Sequence, residues 1–269
     1  VAKIFFNTLL LFPFLLSGIV SAQVDDSDSN RFFLVLKGGT GYGVYCDLGA
    51  SPRQYVGMEL TPGFGVDIRK PQWRMAINLN VDAGAYGLTY QFRSFNCFGG
   101  QPRLDIQMLW KCLDKSGWQG WVGGGIGDWG DIRYNSLLGN SCVGISNCIY
   151  AAVVGRVEYT LKRWNLYGQL SFQPVGMMLR PGFAYVANYD KDIANPVANT
   201  FAHYHWYVAG ACGLNSEVGA ELMLHNGNRI GIAYRWHHVT SRVSPKATGA
   251  PWRFDQAAHQ LVLSLALAL

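Results

Sequence analysis

Residues 73–83 read WRMAINLNVDA. Trp73, Met75, Ile77, Leu79, Val81 and Ala83 fall on one parity, and Arg74, Ala76, Asn78, Asn80 and Asp82 on the other. Such alternation is the period of a β-strand with one apolar face. The opposite face carries amides, a small residue and one charge of each sign, rather than the Lys and Glu of a water-facing sheet. A strand with lipid on one side and a narrow polar interior on the other has this composition.

The same signature recurs along the chain. Leu104, Ile106, Met108 and Trp110 oppose Asp105, Gln107 and Lys111. Val153, Val157 and Leu161 oppose Arg156, Glu158 and Thr160, while Leu166, Leu170 and Phe172 oppose Tyr167, Gln169, Ser171 and Gln173. Val218, Ala220, Leu222 and Leu224 oppose Glu217 and Glu221, and the chain closes on Leu261, Leu263, Leu265, Leu267 and Leu269 against Gln260, Val262, Ser264, Ala266 and Ala268. Residues 31–46 and 118–133 alternate poorly, the latter around Gly123, Gly124 and Gly125.

Short polar turns are expected at Lys70-Pro71-Gln72, 114–117, 162–165 and 225–228, the last holding Asn226-Gly227, a strong hairpin signal. Longer irregular stretches are expected near 47–53, 94–102, 133–148, 184–203 and 241–256. Short connections alternate with long ones, as between the two ends of an outer-membrane barrel. The fold expected is all-β: an antiparallel transmembrane β-barrel of about ten strands, within a range of eight to twelve. Both termini fall at the short-turn end. Twelve strands would result if 204–224 divides. Lumen charges are expected at Arg74, Asp82, Asp105, Lys111, Arg156, Glu158, Glu217, Glu221 and Arg235, paired with one another. About ten strands enclose little more than side chains, which disfavours a wide pore.

Composition agrees. Charged residues make up 14% of the chain, against about 25% in a soluble domain, and aromatics another 14%. After the N-terminal segment no apolar run approaches the ~18 residues of a spanning helix. The formal charge of +5 is mild and no basic tract stands out, so nucleic acid is not an expected partner. Residues 1–22 combine Lys3, an apolar run and Val20-Ser21-Ala22, the pattern of a signal peptide for export. Residues 23–30, QVDDSDSN, form a polar lead-in, and 31–269 the barrel, expected in a bacterial outer membrane. A secreted β-sandwich is the soluble alternative.

Export permits disulfides among the six cysteines. Cys142 and Cys148 share one expected external loop and could close a small ring. Cys46 and Cys97 both lie near the external rim, and Cys112 and Cys212 fall in strands as packed thiols. Their connectivity is not deducible from sequence. No tight Cys/His cluster suggests a metal, and no cofactor is implied.

The chemistry candidate is YRWHHVTS, residues 234–241. Ile230, Ile232, Tyr234, Trp236, His238 and Thr240 share the lipid-facing parity; Gly231, Ala233, Arg235 and His237 face inward. One reading is an interfacial histidine in an aromatic belt. The other is a base and a hydroxyl two residues apart on one face, about 6–7 Å between Cα atoms, reachable by a lipid. A hydroxyl needs such a base to become a nucleophile, and the base an acid to orient it.

The stretch GAELMLHNGNRIGIAYRWHHVTS, residues 219–241, resembles the C-terminal region of PagL-type lipid A 3-O-deacylases and related acyloxyacyl-hydrolase-like barrels. In that family a strand and an Asn-Gly-like turn lead to a strand ending His-x-Ser-Asn, and an acid follows before the last strand. The resemblance covers about fifty C-terminal residues; elsewhere it is architectural. It implies hydrolysis of an ester-linked acyl chain of lipopolysaccharide, without a metal or cofactor. Carried over, His238 takes the base position and Thr240 that of the nucleophilic serine. Ser241 stands where Asn would be, and Asp255 is the acid before the last strand, on the lipid-facing parity of 261–269. Neutral His238 would take the Thr240 proton and Asp255 would orient the imidazole. The implied partners are outer-membrane lipid and lipopolysaccharide. The alternative is a non-catalytic barrel: structural, adhesive or a narrow solute conduit.

Overall fold

The computed structural model describes residues 31–47, 51–88, 95–136, 143–181, 204–243 and 252–269. The expected signal peptide and polar lead-in, Cys142 and the stretch 184–203 lie outside them.

The described chain is a sequence of strands: β1 (Arg31–Asp47), β2 (Ser51–Leu60), β3 (Gly63–Arg69), β4 (Trp73–Leu88), β5 (Phe95–Lys115), β6 (Trp118–Asn135), β7 (Val143–Leu161), β8 (Trp164–Pro181), β9 (Tyr204–Met223), β10 (Arg229–Val243) and β11 (Trp252–Ala268). Apart from β2 and β3, consecutive strands pair antiparallel, and β11 returns to pair with β1 from Phe33↔Ala268 to Asp47↔Phe254. The sheet is a closed barrel.

β2 and β3 are one stave. Both pair with β1 and with β4, and the register Thr40↔Leu60 continues unshifted into Lys37↔Gly63. The interruption is Thr61-Pro62. Pro62 has no N–H to give the ladder, yet Thr61 N still donates to Gly39 O at 2.9 Å and Val81 N to Pro62 O at 2.9 Å. Eleven strands therefore make ten staves, and 204–223 is undivided.

One end carries the expected tight turns. Ser116 and Gly117 both have positive φ, 51° and 84°, the left-handed pair of a two-residue hairpin. Lys162 begins the next turn at φ 54°, and Gly227 sits at φ 80° where Gly227 N donates to Leu224 O at 3.1 Å. The other strand ends, among them Asp47, Leu88, Asn135, Pro181 and Val243, lie at the opposite end. The boundaries expected for the irregular stretches need correction. The stretch expected to be irregular at 94–102 is mostly β5, and much of 133–148 belongs to β6 and β7. The ladder simply continues past the apolar band, where side-chain parity no longer reports a bilayer.

The alternation has the expected phase: Leu104, Trp110, Val153, Leu170, Val218, Ile232, Leu261 and Leu263 all stand exposed on the outer wall, although Leu267 at the end of β11 is buried. Phe64, Val122 and Ile126, in stretches without a legible pattern, are exposed there too. Trp110, Trp118 and Trp164 are also exposed near the short-turn end, where Trp118 packs on Tyr159 at 4.7 Å between ring centroids. Aromatics at that level mark the edge of an apolar band. The weak alternation of β6 has a steric cause. Its inward positions include Gly123, Gly125 and Gly127, and a Cβ on Gly127 would run into the ring of Tyr150 on β7.

Inside, most charge is paired; Lys37, donating to Asn78 at 2.7 Å, and Glu59 meet neutral partners. Asp67 accepts from Arg69 at 2.7 Å and from Arg74 at 2.7 and 2.9 Å. Glu158 accepts from Arg74 at 2.8 Å and Arg156 at 2.6 Å. Glu221 pairs with Arg69 at 3.3 Å and Arg229 at 3.0 Å, and Glu217 accepts from Arg235 at 2.9 Å and Tyr167 at 2.7 Å. Asp82 lies 3.5 Å from Arg103, and Lys111 pairs with Asp114 at 2.8 Å near the short-turn mouth. Tyr150 donates to Asp105. Higher up, Glu59 accepts from Tyr86 at 2.6 Å, and Arg133 pairs with Asp131 at 2.8 Å. The expected lumen charges all line this interior. It retains a cavity of about 130 Å³ among Lys37, Asp67, Arg74, Asp105, Arg156 and Glu217. A wider recess of about 760 Å³ opens at the short-turn mouth. Arg69, Arg74, Glu221 and Arg229 line both and stand between them.

Candidate functional site

β10 and β11 pair in unbroken register from Arg229↔Ala266 to Val243↔Trp252. This register decides which polar groups meet on the outer wall, because adjacent strands lie about 4.8 Å apart and outward residues repeat every second position.

Three rows result. The uppermost runs Cys46 (β1), Asp255 (β11), Thr240 (β10) and Cys212 (β9). The next holds Val44, Ala257, His238 and Leu214, and the third Tyr42, His259, Trp236 and Ser216. Burial confirms the facing: Phe254, Gln256, Ala258 and Gln260 are buried, while Arg253 and His259 are exposed and Asp255 half-buried.

Thr240 and Asp255 are brought together. Thr240 Oγ1 donates to Asp255 Oδ1 at 2.7 Å. The other carboxylate oxygen, Oδ2, pairs with Arg253 Nε. His238 stands one row below. Its ring stacks on Trp236 at 6.1 Å between centroids and 14° between planes. Among the described residues no hydrogen bond links His238 to Thr240 or Asp255. The carboxylate thus holds the hydroxyl directly, not through an imidazole. His237 points the other way and is fully buried in the lumen wall.

Two groups escaped the reading of the sequence. His259 shares the outer wall, and its Nδ1 lies 2.5 Å from Tyr234 Oη. It sat on the lipid-facing parity of 261–269, so its facing was legible; its contact with Tyr234, two positions out of register, was not. Arg253 shares that parity too, and its pairing with Asp255 needed side-chain geometry.

The height of the patch follows from strand geometry. Thr240 is ten residues beyond Ile230, the first exposed aliphatic residue of β10. At ~3.4 Å per residue and a tilt near 40° that is about 26 Å along the barrel axis, the height of the apolar band of such barrels. Thr240 therefore sits at the band's outer edge, where polar lipid headgroups meet acyl chains.

The thiols are not cross-linked among the described residues: Cys46, Cys97, Cys112, Cys148 and Cys212 are free. Cys97 is buried with its Sγ 3.1 Å from Tyr45 Oη, whereas Cys46 faces outward. Cys112 is exposed and not packed as expected, because β5 shifts register between Lys111 and Leu113.

No family model matches the chain, and no curated protein matches it in sequence. Solved structures match it in shape. The outer-membrane protease OmpT from Escherichia coli aligns over 89% of this chain and 96% of its own, with a TM-score of 0.50 and 8% identity. The translocator domain of the autotransporter NalP from Neisseria meningitidis covers 98% of this chain and 95% of its own, with a TM-score of 0.44 and 8% identity. The first likeness shows the fold, that of an outer-membrane β-barrel, and nothing about activity.

Proposed function

We propose that this barrel, seated in the outer membrane, hydrolyses an ester-linked acyl chain of an outer-leaflet lipid such as lipid A. The observation that carries the reading is the Thr240–Asp255 hydrogen bond on the lipid-facing wall, with His238 on the same face one row below. Barrel closure does not need a carboxylate there. A charge at the edge of a bilayer costs only about 0–1 kcal/mol, so it is the grouping of Asp, Thr and His on one lipid-facing wall, not its cost, that asks for a use.

The chemistry runs as follows. His238 leaves its stack on Trp236 and turns towards Thr240; Ala257, its register partner, leaves space beside it. Neutral imidazole takes the hydroxyl proton as Oγ1 attacks the ester carbonyl. The tetrahedral intermediate collapses, the C–O bond to the lipid alcohol breaks, and His238 returns the proton to that alcohol. Asp255 stabilises the imidazolium by charge. Water then attacks the acyl-threonine ester, releasing fatty acid and restoring the hydroxyl.

Mass spectrometry of lipid A tests this. Cells expressing the chain should show lipid A lighter by one ester-linked acyl chain, and cells expressing His238→Ala should not. Identical lipid A in the two removes the reading for that substrate.

A non-catalytic barrel is the second reading, and one observation favours it. Asp255 is engaged with Thr240 and Arg253, and His238 with Trp236, so the nucleophile–base–acid order is not assembled.

A further inference from the structure

Above the Thr240–Asp255 row, the next outward positions on the same strands are Arg242 and Arg253. They are register partners, both exposed. Partners across an antiparallel ladder stand about 4.5–5.5 Å apart at Cα. Like charges so placed destabilise a sheet, and a guanidinium cannot shed its charge. Arg253 is partly balanced through Nε by Asp255. Arg242 has no ion pair or hydrogen bond among the described residues. A dianion seated between the two would turn the repulsion into two attractions.

The wall below has a matching polarity. Descending from Arg242 on β10 come Thr240, His238, Trp236 and Tyr234, then Ile232 and Ile230; on β11, Leu261 and Leu263 complete the aliphatic part. Cation, hydroxyl, aromatic and aliphatic follow one another from rim to band, which is the order of phosphate, ester and acyl chain in a phosphorylated lipid. Arg242 and Thr240 are two residues apart, about 7 Å along the strand, a span that fits the step from a headgroup phosphate to a neighbouring ester.

We propose that Arg242 and Arg253 form a clamp for the phosphate of an anionic outer-leaflet lipid, whose acyl chains descend past Trp236 and Tyr234 towards Leu261. The clamp rests on the lipid-facing reading of the Thr240 site and names the headgroup that site takes, but it requires no turnover. Arginine suits the role because its fork donates two parallel hydrogen bonds to phosphate oxygens.

The experiment is native mass spectrometry of the detergent-solubilised full barrel carrying Thr240→Ala, so that hydrolysis cannot consume the probe. The probes are lipid A, phosphatase-treated lipid A and inorganic phosphate. The Thr240→Ala barrel should prefer lipid A over the dephosphorylated form by about tenfold, the effect of one or two charge-assisted hydrogen bonds. Adding Arg242→Gln should erase that preference, and Arg242→Lys should restore part of it. Heat-modifiable migration on gels verifies that each variant is folded. Equal binding of the two lipids, or an unchanged preference in Arg242→Gln, overturns the clamp. Displacement of lipid A by millimolar inorganic phosphate overturns the assignment to a lipid. If lipid binding depends on Arg242 while lipid A in cells is unaltered by His238→Ala, the clamp stands and the hydrolase reading falls.

Discussion

Arg235 and His237 on β10 point into the lumen, while Trp236, His238 and Thr240, interleaved with them, point out of it. The two faces treat polar groups differently. Inside, Arg235 is paired with Glu217, and the tiers below repeat that arrangement with Asp67, Glu158 and Glu221. These charges answer one another across the barrel and hold the staves together. Outside, polar groups gather around β10 and β11 over four successive rows, and Arg242 is left without a counter-charge among the described residues. An interior in which nearly every charge has a charged or hydrogen-bonding partner explains itself as structure; a cation with neither on a lipid-facing wall points to a ligand.

The sharpest way to break the contrast is to unpair the interior. Asp67→Ala leaves Arg69 and Arg74 without their shared carboxylate. Removing one partner of a buried pair costs roughly 3–5 kcal/mol. Urea unfolding followed by tryptophan fluorescence should show a loss of that size. A loss below about 1 kcal/mol, the worth of an exposed pair, would mean that water screens the lumen.

Next comes the apolar band. Leu261→Arg puts a charge on the lipid side, level with Tyr234 about midway between Ile230 and Thr240, where an arginine near the midplane costs roughly 2–4 kcal/mol. The same unfolding assay in bilayers should register it. Little or no effect would mean that Leu261 lies at an interface and the band is displaced.

That such predictions can be aimed at single residues reflects how much the alternation disclosed. Parity separated His237 from His238 and put Asp255 on the wall of Thr240, because a period of two leaves no third choice. The tight turns were legible from Asn226-Gly227 and Ser116-Gly117. Register was not. It depends on turn geometry and bulges, and it alone creates the Thr240–Asp255 bond and the Arg242–Arg253 pair. A count of ten strands leaves the chain between 53 and 70 undivided and does not disclose its interruption at Thr61-Pro62. On β8 the register shift after Gln173 moves the outward set from Leu170 and Phe172 to Val175 and Met177, a change of parity that no periodic pattern anticipates.

The smallest expected effect is on the Thr240 site itself. Thr240→Val keeps the shape and deletes the hydroxyl, so Asp255 loses one hydrogen bond while keeping Arg253. One such bond is worth about 0.5–1.5 kcal/mol, which sets the expected destabilisation. Thr240→Ser removes only the methyl group and should leave stability within about 0.5 kcal/mol. The two substitutions then diverge in activity. If Thr240 attacks an ester, valine abolishes release of fatty acid from lipid A, and serine, with less crowding at Oγ, raises it. If the hydroxyl only braces Asp255, valine and serine differ in stability and leave the lipid untouched. Mass spectrometry of lipid A beside an unfolding curve therefore separates a nucleophile from a strut.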